Sequence, residues 1–134
     1  MEMTSNKSYI VRAIYDWIVD NNLTPYIVVQ ADYPGVQVPE EYVKQGKIIL
    51  NLSMHACRGL HLTIDMISFT ARFSGVIEQI AFSPLAVTAV YAKENGRGME
   101  FEIHYPDAKM LAEMRQKTPK KPILRLVDSK KDIN

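Results

Sequence analysis

The chain has 134 residues, 47% of them hydrophobic and 23% charged, with a formal net charge of +1. This describes one small domain with an ordinary core and excludes a disordered or membrane-embedded chain. No 18-residue apolar run exists, and residues 1–8 lack the basic-then-apolar layout of a signal peptide, so a cytoplasmic location is expected. The single cysteine, Cys57, cannot form an internal disulfide and reads as a small apolar residue. The net charge hides an asymmetry: residues 1–106 sum to −3 and residues 107–134 to +4. A basic tail suits an acidic surface or nucleic acid, but eight cations spread among prolines and leucines also read as a solvated linker.

In chain order, Ser8 is placed to cap a helix from Tyr9 to about Asn22, ended by Thr24-Pro25 because the residue before proline avoids helical angles. At 100° per residue, the only polar stripe of that helix is Arg12, Asp16 and Asp20. The surplus apolar surface suggests a symmetric helix-to-helix dimer through Val11, Ile14, Tyr15 and Ile18, with burial against the chain's own sheet as the competing reading. Short strands follow at Tyr26 to Ala31 and Val36 to Val38, around a Pro34-Gly35 turn, with a helical turn at Pro39 to Lys44. Further strands are expected at Lys47 to Ser53, Leu60 to Ile64, Met66 to Phe73 and Val76 to Phe82. Ser83-Pro84 then starts a helical turn, and Val87 to Ala92 with Met99 to Glu102 forms a hairpin. The fold class is therefore mainly β with an N-terminal helix, a small barrel or sandwich.

From Pro106 the composition shifts. Ala108, Leu111, Ala112 and Met114 suit a weak helix before Thr118-Pro-Lys-Lys-Pro122 forces an extended spacer. This gives a domain at 1–106, a linker at 107–121 and a terminal motif with its extension at 122–134. In the motif, Pro122, Ile123, Leu124, Arg125, Leu126 and Val127 form an isolated apolar patch suited to adding a strand to a partner's sheet edge, or to folding back on its own domain. No metal-spaced cluster, nucleophile elbow or phosphate-cradling glycine run is present, so neither an enzyme nor a cofactor is expected. His55, His61 and His104 are scattered, and His61 reads as the outward face of a strand.

Several segments, in order, resemble the stringent starvation protein B (SspB) family of adaptors for the ClpXP protease. They are Tyr9-Ile-Val-Arg-Ala-Ile-Tyr-Asp-Trp17, Asp20-Asn-Asn-Leu-Thr-Pro-Tyr26, Pro34-Gly-Val-Gln-Val-Pro39 with Glu41-Tyr42, Ile49-Leu-Asn51, Phe69-Thr-Ala-Arg-Phe73 with Gly75, and Tyr91-Ala-Lys-Glu-Asn-Gly96. Pro122 to Val127 is similar to that family's ClpX-binding tail. The resemblance implies an Sm-like β domain, dimerised through its helix, whose groove binds ssrA-tagged polypeptides while a flexible tail docks on the ClpX N-terminal domain. It carries tag binding onto Leu50, Asn51, Leu52, Ala56, Phe69, Ala71, Arg72 and Phe73, with the two phenylalanines open to a purely core role. One departure is the linker, short and basic here where that family's is commonly long and acidic. A rival reading is an Sm-like RNA-binding module, against which the −3 charge of residues 1–106 argues.

Overall fold

The computed structural model describes residues 3–107 and residue 109. The chain divides into two units between His104 and Tyr105, and the fold below is that of the first. The expected helix at Ala108 to Met114, nearly all of the linker and the Pro122 to Val127 motif lie outside the described residues.

Helix α1 spans Lys7–Asp20. It starts earlier than the Ser8 cap predicts: Asn6 is the cap residue and Ser8 sits inside the first turn, where the amide of Lys7 donates to Ser5 Oγ at 3.1 Å. It stops before Thr24-Pro25 as well. Asn22 takes a left-handed φ of 60°, its amide reaches Val19 O, and the Leu23 amide reaches Ile18 O. These two bonds satisfy carbonyls that the last turn would otherwise leave unpaired.

Among the described residues seven strands follow, in two antiparallel sheets. Strands β1 (Pro25–Gln30), β2 (Lys47–Asn51), β6 (Val87–Ala92) and β7 (Gly98–Glu100) form a sheet in the order β2-β1-β6-β7. Strands β3 (Cys57–Leu62), β4 (Ile67–Phe73) and β5 (Val76–Phe82) form the other, in the order β3-β4-β5. The expected mainly-β class with an N-terminal helix holds, but the sheets do not close into a barrel. Alternation decides which faces are inward: Ile27, Val29, Ile48 and Leu50 on one sheet, and Ile67, Phe69, Ile80 and Phe82 on the other, are buried. Helix α1 lies against β6, β1 and the short 3-10 turn Pro84–Ala86, and adds Val11 and Ile18 to the core. Full burial of each such side chain contributes about 1.5–3 kcal/mol.

Several boundaries differ from the sequence reading. Val36 to Val38 makes one isolated bridge, Gln37 to Ala81, instead of a strand, and the expected helical turn is confined to Glu40–Tyr42. The expected strand at Leu60 to Ile64 begins earlier and ends at Leu62, because the Thr63 hydroxyl bonds both the amide and the carbonyl of Met66 and closes a turn. Ile64 is left half exposed.

Two polar ties fix the helix ends. Lys7 Nζ donates to Leu85 O at 3.1 Å and to Glu102 O at 3.2 Å, and lies 5.4 Å from the centre of the Phe101 ring. Burial pulls its pKa down to about 8. Beyond the other end, the Glu94 carboxylate accepts from the Thr24 amide at 2.9 Å and the Thr24 hydroxyl at 2.7 Å, and these bonds hold its pKa below the ordinary carboxylate value.

Candidate functional site

Strand β4 sets the geometry. Ile67, Phe69, Ala71 and Phe73 face inward and Ser68, Thr70 and Arg72 outward, as period 2 requires. Across the ladder, Phe69 pairs with Ile80, Ala71 with Glu78 on one side and Cys57 on the other, and Phe73 with Val76. Burial falls along this inner face: Phe69 is closed off in the core, Ala71 and Phe73 are half-buried, and Val76 is exposed. The result is a shelf at the end of the three-stranded sheet, with the small Ala71 between a phenylalanine and the Glu78 carboxylate.

Tyr42, from the 3-10 turn, walls this shelf. Its ring lies 4.9 Å from that of Phe73 and its hydroxyl hydrogen-bonds the Ser74 hydroxyl. Tyr42 stood among the residues of the family resemblance but was not assigned to the site. Its nearest strand partner is 31 positions away in sequence, and no local pattern could pair it with Phe73.

The eight residues expected to bind a peptide tag divide into three groups. Leu50, Leu52 and Phe69 are buried, so they support the shelf from within and could touch a ligand only if the core moved. Phe69 makes an edge-on contact with Phe82 at 6.5 Å, which settles its core role. Asn51, Ala56, Ala71 and Phe73 are half-buried. Asn51 and Ala56 flank the β2–β3 connection, where Asn51 Oδ1 accepts from the Ser53 amide at 2.9 Å and the Ala56 amide donates to Ser53 O. Ala56 precedes Cys57, the cross-strand partner of Ala71, so the sheet brings these residues to one end. Arg72 is exposed on the opposite face.

The four helix residues expected at a dimer interface also divide. Val11 and Ile18 are in the chain's own core, a correction with a simple cause: the helix must spend one seam covering its sheet. Ile14 and Tyr15 are half-buried, and Tyr9, Trp17 and Val19 carry the exposed apolar surface. The Arg97 guanidinium stands 5.3 Å from the centre of the Trp17 ring.

Cys57 is buried, and burial pushes its thiol pKa up, the opposite of an activated nucleophile. Among the described residues no group of three His, Cys, Asp or Glu could hold a metal ion, and no helix is long and apolar enough to cross a membrane. A larger concavity of about 730 Å³ lies on the four-stranded sheet, lined by Val28, Gln30, Lys47, Tyr91, Glu100 and Phe101, and contains none of the expected site residues.

Fold and shelf define the class: among the described residues, a small two-sheet β domain with one N-terminal helix and an open, partly apolar shelf. Residues 5–132 match the family model described as stringent starvation protein B, and the chain belongs to that family. It is also 54% identical over 96 residues to the stringent starvation protein B homolog of Haemophilus influenzae. That match covers 72% of this chain and 64% of the relative.

Proposed function

We propose that this protein is a proteolytic adaptor that binds the ssrA degradation tag on its β domain and tethers the tagged chain to ClpX. The observation that carries this reading is the family match over residues 5–132, which spans both the β domain and the tail. The shelf supplies the physical part. An extended peptide takes affinity from backbone hydrogen bonds and specificity from side-chain pockets, and Phe73, Ala71, Ala56 and Tyr42 offer an apolar floor and wall. Asn51 adds a polar contact, while Leu50, Leu52 and Phe69 hold the shelf from behind.

Pro122, Ile123, Leu124, Arg125, Leu126 and Val127 would dock on the ClpX N-terminal domain. The adaptor then performs no bond chemistry. A short flexible linker gives an effective concentration of about the millimolar range, so a weak contact between tag and unfoldase suffices. A homodimer through α1 would present two tails and add avidity.

The test is fluorescence anisotropy of a labelled ssrA peptide titrated with the full chain, with a chain ending at Lys121, and with Phe73→Ala. The expected result is saturable binding by the first two and a loss of about tenfold or more for Phe73→Ala, since the ring's burial contributes about 1.5–3 kcal/mol. Binding by neither of the first two would remove the adaptor reading.

A further inference from the structure

The outer face of the three-stranded sheet has chemistry that the shelf does not use. Arg58 pairs with Thr70 and His61 with Ser68 across β3 and β4, with a register shift between them. Three residues apart, Arg58 and His61 would point to opposite faces of a regular strand. The bulge, made possible by the left-handed φ of 64° at Gly59, turns both outward. Arg72, two residues after Thr70 on the same face, is the diagonal neighbour of Arg58, a spacing of about 7–8 Å between such positions.

Arg58 and His61 edge a shallow groove of about 420 Å³ floored by Ser68, Thr70 and Gln79 and closed on one side by Gln37, and Arg72 stands on the same face beyond its end. Gln37 pairs with Ala81 through two backbone hydrogen bonds and so covers part of the β5 edge. β3 is an edge strand with no strand beyond it among the described residues. Neither Arg58 nor Arg72 is in an ion pair among the described residues. No carboxylate stands at any outward position of β3, β4 or β5, because Glu78 faces inward beside Ala71. Three cationic or potentially cationic side chains with hydroxyl and amide neighbours, on a face without acids, match an anionic partner.

We propose that this outer face is a second binding surface that takes an acidic peptide segment, extended along β3, with alternate carboxylates on Arg58 and Arg72. Alternate side chains of an extended peptide lie on one face about 7 Å apart, which fits the spacing of the two arginines. The observations favour a peptide over RNA. No aromatic ring stands at an outward position of this sheet to stack a base. This surface lies on the opposite face of the sheet from the shelf, and it takes over Arg72, which the family resemblance carries to the tag site.

The test uses the full chain and a short fluorescein-labelled peptide alternating Glu and Ala, beside its Gln counterpart and an oligo(U) probe. Arg58→Glu should weaken the acidic peptide about tenfold or more, the scale of a charge-assisted hydrogen bond. Lys120→Glu with Lys121→Glu should change it by less than about twofold, which separates this face from the basic tail. Amide resonances of Thr70 and Gln79 should shift on titration. An Arg58→Glu affinity within about twofold of wild type, equal binding of the Gln peptide, or tighter binding of oligo(U) would overturn the proposal.

Discussion

Lys7 provides a direct test of how the helix is fastened. The residue is 8% exposed, and its amine donates to the carbonyls of Leu85 and Glu102 and has its pKa drawn from 10.5 to about 8 by burial. Below pH 8 the folded chain must keep a poorly hydrated ammonium. As pH rises through 8 the folded lysine gives up its proton while the unfolded one keeps it until about 10.5, so the unfolded state binds more protons and stability rises. A fall from 10.5 to about 8 corresponds to at most about 3 kcal/mol. Water that still reaches the amine reduces this to about 1–2 kcal/mol. Burial raises the pKa values of Cys57, Tyr15 and Tyr33, and their ionisation lowers stability as pH climbs. The lysine is therefore isolated only by comparison with Lys7→Met, which keeps an unbranched apolar side chain and removes the amine. Urea unfolding followed by fluorescence of Trp17, the only tryptophan, at several values between pH 7.5 and 10 makes that comparison. The stability of wild type relative to Lys7→Met should rise by about 1–2 kcal/mol across the range. A difference that stays constant with pH would refute the reasoning, whatever its sign at neutral pH.

Two further outcomes follow from the packing. A Cβ at Gly98 would lie 1.9 Å from Val90 O and 2.6 Å from Tyr91 Cα, both backbone atoms that cannot rotate away. Gly98→Ala should detach β7 from β6 at a cost of about 1–3 kcal/mol, measured by urea unfolding and by faster amide exchange at Met99. For the helix, Tyr15→Glu should convert the proposed dimer to a monomer while leaving the fold intact, because the ring is only half-buried; an unchanged sedimentation mass would retire that interface.

Legibility followed distance along the chain. The alternation of Ile67, Phe69, Ala71 and Phe73 was visible in sequence because a strand's period is local, and β5 was placed at Val76–Phe82 as expected. Helix ends were misplaced by a few residues because Asn6 and Asn22 are capping positions decided by φ, whereas Ser8 and Thr24-Pro25 advertise stronger signals nearby. Val36 to Val38 does not form the expected strand because its one bridge is made by Gln37, to Ala81 more than 40 positions on.

The sequence by itself determined what lies within reach of a few residues: the class of fold, most strand positions, the absence of recognisable catalytic spacings and the segments that mark the family. Only the tertiary structure decided which apolar residues are spent and which remain available. Phe69 and Phe73 are indistinguishable by pattern, yet one is core and the other half-open, because Phe69 sits mid-strand against Phe82 and Phe73 is the last residue of β4, opposite the exposed Val76. Val11 and Ile18 are consumed by the chain's own core where Trp17 is not. A one-residue bulge after Arg58 puts it beside His61 and Arg72 on a single face. Burial and facing depend on contacts between positions far apart in the chain, which local periodicity does not encode.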